Sequence, residues 1–504
     1  MILKAKYIDM DAGEYTAVLH DDDCEELGVR EQDRVKIKHE RAEITAILQT
    51  TDSAVKRGEV GLLGKAYAVA KVESGEELEV IYTPKPESVS YIRRKMKGEE
   101  LTSEEIRSLV SDISQHNLSQ VEMSAYVTSL YINGMNLRET ADLTMAMVET
   151  GETIEFDTAI FDFHSVGGCP GNKVTPVVVS IVAAAGLTIP KTSSRAISSA
   201  AGTADIVEVF SPVAFDSSRL KKIAETVGGT LAWGGSMNLA PADDIIIRVE
   251  YPLGVDPHAQ LLASVMSKKK AVGANFLVMD IPMGPCTKVE DMESARRYAR
   301  DFIDLGEKLG MKVECAITYG GQPVGRAVGP ALEAKEAISI LEGAQHPSSV
   351  IEKSVGLAGM LLEMGGVANG EERAREILES GKALEKFREI VEAQGGDPDI
   401  SSDLIGVGAF SQDFLAPRGG YVNGIDNRKI VQIARQAGAP KDKGAGLVLN
   451  KKRGNSVEKG EPLFTIHADN DAKLKRAVEA ARRLDPVLIE GMVLSKMPSY
   501  QRLG

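Results

Sequence analysis

Alternation of apolar and polar residues runs through the first 84 positions. AKYIDMDAGEYTAVLH, DRVKIKHERAEITAILQTT and LEVIYT follow a period of two at least in part, and polar turns such as Glu31-Gln32-Asp33-Arg34 separate them. That pattern predicts short strands closing into a small β-barrel. Thr83-Pro84-Lys85-Pro86-Glu87-Ser88 breaks the period and predicts a linker. From residue 88 to about 151 the spacing becomes helical. Three helix starts carry a capping pair, Thr102 with Glu105, Ser119 with Glu122 and Asn136 with Glu139, in which each side chain satisfies the other residue's backbone N–H. Gly134 and Gly151 end two of these helices.

The pattern then changes to strands and helices in alternation. A buried strand is expected over Ile154–Phe163 and an apolar helix over Val174–Ala185. NFLVMDIPMG, ESARRYARDFIDLGEKLG and KVECAITYG continue the alternation, which is expected to run from 275 to about 395. Beyond about residue 405, short strands such as GYVNGI, AGLVLN and EPLFTIHA surround two helical stretches. The expected fold class is α/β and multidomain. It comprises a small β-barrel-like assembly domain over 1–84 and a helical lobe over 88–151 with about 238–272. A large mixed α/β phosphate-binding lobe takes 155–235 with 275–400, and an α+β appendage takes 405–504.

Composition narrows the function classes. The 504 residues are 43% hydrophobic and 26% charged, as in an ordinary globular protein large enough for several cores. A net charge of −14 without a long basic run disfavours nucleic acid as a partner, so local cations must handle any anionic substrate. The start Met1-Ile-Leu-Lys-Ala-Lys lacks the apolar core of a signal peptide, and no apolar run reaches the roughly 18 residues of a membrane span. A cytoplasmic protein without membrane contact is expected. Cys24, Cys169, Cys286 and Cys315 are scattered and indicate neither a zinc site nor a disulfide framework.

Candidate chemistry gathers at the junction of the predicted strand and helix. His164-Ser165-Val166-Gly167-Gly168-Cys169-Pro170-Gly171-Asn172-Lys173 combines three glycines with a hydroxyl, an imidazole and a cation ahead of a helix N-terminus. Backbone N–H groups and the positive end of a helix favour an anion there. The stretch matches neither common nucleotide-loop motif, and an ordinary glycine-rich turn is the plainer alternative. A second cluster, Lys191 to Asp205, holds six hydroxyls between Thr192 and Thr203 together with Arg195, whose planar fork suits phosphate. A serine-rich helix cap explains it equally well. A helix starting near Asp256 would put Gln260, Ser264 and Lys268 on one face, while Lys269 and Lys270 are expected on a solvated one. Asp256 either caps that helix or serves as a general acid.

From about residue 88 onward the chain resembles the thymidine/pyrimidine-nucleoside phosphorylase family. The blocks that carry the likeness are YIRRKMKGEELTSEEI, HSVGGCPGNKVT, Ser193 with Arg195, Gly202-Thr203-Ala204-Asp205, NLAPADDIIIR and SVMSKK, in the family's order. The extension of some 84 residues resembles the branch of that family acting on nucleoside 5′-monophosphates. The resemblance implies phosphorolysis to a free base and ribose 1,5-bisphosphate. It implies His164, Ser165, Ser193 and Thr203 on phosphate groups. Nucleotide contacts are implied for Gly168, Ser194, Arg195, Ala196, Ile197, Ser198, Ser199, Thr203, Ser264, Lys268 and Lys288. Asp256 is implied as proton donor to the leaving base. No metal and no cofactor are implied beyond inorganic phosphate as co-substrate, and the helical and α/β lobes would close around the reactants. A homodimer building larger homo-oligomers through the N-terminal domain is expected. Two departures matter. Phe163 stands where the family usually has Lys, and Ser198-Ser199 replaces a Gly-His pair, adding hydroxyls suited to a second phosphate. Phosphorolysis of unphosphorylated nucleosides, phosphoribosyl transfer and a non-catalytic nucleotide sensor are the alternatives.

Overall fold

A computed structural model describes residues 1–491 apart from Arg41 and Ser198. The chain divides into two compact units, one of residues 1–151 with 240–267, the other of 152–239 with the remainder from Lys268.

The first unit joins a barrel to a helical bundle. Strands β1 (Ile2–Ile8), β2 (Thr16–His20), β3 (Arg34–His39), β4 (Ala42–Thr51), β5 (Glu59–Leu63) and β6 (Glu77–Thr83) close in the order β1-β5-β2-β4-β3-β6. Alternate residues such as Val35, Ile37, Leu48, Val60, Leu62, Leu78 and Val80 fill the interior. The expected barrel is present. Its alternating stretches did not reveal β5 or the short helices Asp21–Leu27 and Gly64–Ala70. Arg34 leaves this barrel sideways and is buried, its Nε donating to Asn117 O at 2.8 Å and its Nη2 to Glu122 Oε2. The barrel is thus tied to the bundle by a buried charge that Glu122 neutralises.

The bundle contains helices Ser88–Met96, Ser103–Ser114, Gln120–Asn133, Leu137–Glu149 and Pro241–Leu253. All three capping boxes form with both reciprocal bonds. Ile106, Leu109, Tyr126, Val127, Leu143, Met147 and Ile246 make the core. Lys95 and Glu139 pair inside the bundle at 2.9 Å, and Glu139 also accepts the Leu101 N–H.

The second unit is built on parallel strands. β7 (Phe161–Ser165) and β11 (Lys312–Tyr319) flank β10 (Phe276–Met283). A parallel bridge between Ile160 and Thr188 links them to β8 (Ile189–Ser193), which pairs with β9 (Gly229–Trp233). The strand expected from Ile154 begins only at the Ile160 bridge and extends to Ser165. Ile154 instead donates to Ala271 O at 2.7 Å and packs beside Val272, so its apolar character serves a helix end and not the sheet. The helix Val174–Ala184 is buried on nearly every side, explaining its lack of a polar stripe. The alternation expected up to residue 395 stops earlier. After the two-residue β12 (Ala327–Val328), four helices follow over Pro330–Leu341, Ser348–Met364, Gly370–Glu379 and Lys382–Gln394. They and Val174–Ala184 share one apolar core with the sheet.

The C-terminal part has two sheets. β13 (Phe410–Leu415), β15 (Gly446–Leu449) and β17 (Pro462–Ala468) join β12 in one, and β14 (Gly420–Ile425), β16 (Ser456–Val457) and β18 (Val487–Glu490) form the other. Helices Asn427–Ala437 and Asp471–Leu484 contribute Ile430, Ile433, Ala477 and Ala481 to their shared core. No helix of the described residues is long and apolar enough to cross a membrane.

Candidate active site

β7 delivers His164 and Ser165 to its C-terminal end, where the chain turns through Gly167, Gly168 and Gly171 into Val174–Ala184. Gly168 has φ +85°, and a Cβ there would lie 2.5 Å from the Lys288 backbone nitrogen. Only glycine satisfies both the left-handed geometry and that approach. The same contact sets Lys288 against the turn. No side chain caps the start of the helix, so its N-terminal backbone donors face the turn uncapped.

Lys173 does not serve the turn as its sequence position suggested. Its amine is fully buried and donates to Val324 O at 3.1 Å, Ala327 O at 2.8 Å and Glu336 Oε2 at 2.5 Å. Support for Ser165 comes from elsewhere. Its Oγ accepts from Asn172 Nδ2 at 3.1 Å, and that amide also donates to Asp280 Oδ2 at 3.1 Å. Asp280 in turn accepts Thr318 Oγ1 at 2.6 Å and pairs with Lys353 at 2.7 Å.

Behind the turn lies a buried ion cluster. Asp162 holds Lys269 Nζ at 2.7 Å and Lys191 Nζ at 3.2 Å, and Lys191 also donates to Phe163 O at 2.7 Å. Lys191 further sits 5.0 Å from the centre of the Phe163 ring. The expectation of a solvated Lys269 is therefore corrected. Helical periodicity turns it inward, where Asp162 neutralises it. Burial lowers the Lys191 amine to about 7, with Lys269 repelling its proton and Asp162 partly restoring it. Burial, then Lys269, Lys191, Lys268 and Lys288, push the His164 imidazole well below its ordinary value. The direction of that shift makes His164 a neutral ring beside these amines.

The hydroxyl cluster follows β8. Ser193 Oγ is buried with no hydrogen-bond partner among the described residues. A buried unpaired hydroxyl is costly, and a ligand oxygen would satisfy it. Thr203 Oγ1 lies 3.5 Å from Thr175 Oγ1 at the start of the neighbouring helix. Asp205 Oδ2 accepts the Ala196 N–H at 2.7 Å and the Gly202 N–H at 3.0 Å, which shapes the loop between them. The fork of Arg195, expected on phosphate, grips Glu208 at 2.6 and 2.5 Å and stacks 4.6 Å from the Trp233 ring. Arg195, followed by Lys443, pulls the Glu208 carboxyl down to about 2. Ser194 and Ile197 are exposed, and Ser198 lies outside the described residues.

In the helical unit, Asp256 stands exposed just ahead of the helix His258–Ala271. Gln260 and Ser264 do share a face, and both donate to the fully buried Asp243, at 3.0 and 2.8 Å. Asp243 therefore orients the Ser264 hydroxyl. Sequence reading missed Asp162, Asp243, Asp280, Glu208 and Lys353 as organisers of these groups. A carboxylate inside the apolar run FDFH was a signal for Asp162, whereas Lys353, in a long helix, offered none. Among the described residues no group of three His, Cys, Asp or Glu could hold a metal ion.

Residues 89–151 match the helical bundle domain of a glycosyl transferase family, 157–384 its α/β domain, and 421–484 the pyrimidine nucleoside phosphorylase C-terminal domain. The AMP phosphorylase of Methanococcoides burtonii is 50% identical over 100% of both chains. Those of Methanosarcina barkeri and Thermococcus kodakarensis are each 52% identical over 99% of both. Among solved structures, the anthranilate phosphoribosyltransferase of Thermus thermophilus shares the fold with a TM-score of 0.51 at 20% identity, over 60% of this chain and 98% of its own.

A helical bundle, a parallel α/β domain with a glycine-rich turn and a nucleoside-phosphorylase C-terminal domain define a glycosyl transferase of the nucleoside phosphorylase class. Within that class, the chain belongs to the AMP phosphorylase family, which its relatives match from end to end.

Proposed function

We propose that this enzyme cleaves AMP with inorganic phosphate, releasing adenine and ribose 1,5-bisphosphate, and that CMP and UMP are further substrates. One observation carries the reading. Identity of 50–52% to AMP phosphorylases extends over 99–100% of the chain. In this mechanism a phosphate oxygen held by Ser165, Ser193, Thr203 and the turn's N–H groups attacks C1′ of the ribose. The C1′–N bond breaks, its electron pair passes to the base nitrogen, and Asp256 delivers a proton to the base. Neutral His164 adds no charge of its own, while Lys288 and Lys268 stabilise anionic groups of the nucleotide. The reaction needs no metal. We further place the enzyme in the cytoplasm as a homodimer. Ile2, Tyr7 and Tyr82, exposed on the barrel, support growth into larger homo-oligomers through that domain.

Incubation with a panel of nucleosides and 5′-nucleotides plus phosphate, following free base, tests the reading. AMP should release adenine in a phosphate-dependent way that survives EDTA, and adenosine should be far slower. Magnesium dependence with consumption of a pyrophosphorylated ribose would instead favour phosphoribosyl transfer. Asp256→Asn should abolish most turnover while nucleotide binding persists, and unchanged turnover would remove Asp256 from the role of acid.

A further inference from the structure

Residues 194–197 and 199 have no regular secondary structure, yet the C-terminal part holds them at defined points. Arg435, on the helix Asn427–Ala437, donates from Nη1 to Ile197 O at 3.0 Å and to Ser199 O at 3.1 Å. Ala200 is buried and belongs to the apolar core of the C-terminal sheets. At the following helix, Lys443 contacts Glu208 at 2.8 Å and Asp205 at 3.4 Å, the acids that also engage Arg195. Thus the loop is held on one side by Asp205 and on the other by a guanidinium more than two hundred residues away in sequence.

We infer that Arg435 is a positioning residue for the nucleotide, acting through the main-chain carbonyls of Ile197 and Ser199 and touching no substrate itself. This rests on the proposal that the loop contacts the nucleotide. A loop without regular structure loses much conformational freedom when it binds, and that loss weakens affinity unless the loop is ordered beforehand. Two carbonyls captured by one planar cation order it before substrate arrives. Arg435 is exposed, so its worth to global stability is small. Its effect should therefore register on nucleotide affinity more than on folding.

The test compares the full-length wild type, Arg435→Ala and Arg435→Lys in steady-state kinetics and thermal unfolding. Arg435→Ala should raise KM for AMP about five- to tenfold, the scale of a partly exposed charge-assisted bond. KM for phosphate and kcat should stay within about twofold, and Tm within about 2 °C. Arg435→Lys, which keeps a donor but not the fork, should recover part of the loss. An unchanged KM for AMP overturns the inference. So does a joint fall in kcat, phosphate affinity and Tm, which would mark a purely structural role. If wild type itself does not turn over AMP, the phosphorolysis reading fails separately. AMP binding to wild type and Arg435→Ala by calorimetry then decides this inference, with equal affinities overturning it.

Discussion

Lys173 Nζ lies 2.5 Å from Glu336 Oε2, 163 residues away, and this pair directs the only lysine of the glycine-rich turn into the protein. The turn's geometry depends on it, because the same amine also holds the carbonyls of Val324 and Ala327, and an added Cβ on Gly171 would press on both. Lys173→Met leaves the Glu336 carboxylate with the backbone N–H groups of Arg326 and Ala327 but without its cation. Breaking a buried pair this way costs about 3–5 kcal/mol. Denaturant unfolding should show that loss. A variant of unchanged stability but weakened phosphate binding would return Lys173 to the ligand side.

Ser193 should behave in the opposite manner. Its hydroxyl is buried with no partner among the described residues, so Ser193→Ala removes an unsatisfied group and leaves stability equal or slightly higher. Loss of one ligand bond should nevertheless raise KM for an anionic substrate about tenfold. Parallel unfolding and kinetic measurements check both halves, and a destabilised variant would mean that the hydroxyl has a structural partner.

Gly168→Ala tests the close approach at the turn. The methyl group would meet Lys288 N at 2.5 Å in a backbone conformation of φ +85°. We expect roughly tenfold or more lower kcat/KM and a stability loss of about 1–3 kcal/mol from strain. Wild-type kinetics in this variant would show that the Gly168–Lys288 approach is irrelevant to turnover.

Glu333 provides a pH signature. Burial pushes its carboxyl up to about 7, against the attraction of Lys173 and the Gly329 N–H. In the unfolded chain it titrates near 4.5. Between these values the folded protein binds more protons than the unfolded one, so this group makes stability fall as pH rises from about 4.5 to 7. Glu333→Gln keeps the acceptor for Gly329 N–H at 3.0 Å and removes the charge. It should stabilise the protein above pH 7 by an amount on the order of 3 kcal/mol and leave it little changed near pH 4.5. Denaturation at several pH values measures this, and a constant difference across the range would show that Glu333 does not titrate as described.

Much of the architecture was legible because its causes are local. Each capping box joins residues three apart, and a barrel strand declares itself by which alternate positions are apolar. The glycine turn was equally plain, since its backbone geometry is a property of the glycines themselves. Local pattern misled where a residue's fate was set by a distant partner. Ile154 looks like strand but packs on a helix end, and Lys269 looks solvated but meets Asp162.

The barrel, the capped helices, the glycine-rich turn and the family blocks were therefore determined by sequence alone, through backbone preference and periodicity over a few residues. Which charges neutralise one another was decided only by the tertiary structure. Asp162 with Lys269 spans 107 residues, Arg34 with Glu122 spans 88, and Lys173 with Glu336 spans 163. A buried charge must find a counter-charge, but any of the chain's many acids and bases would satisfy that rule, and only the folded packing selects one.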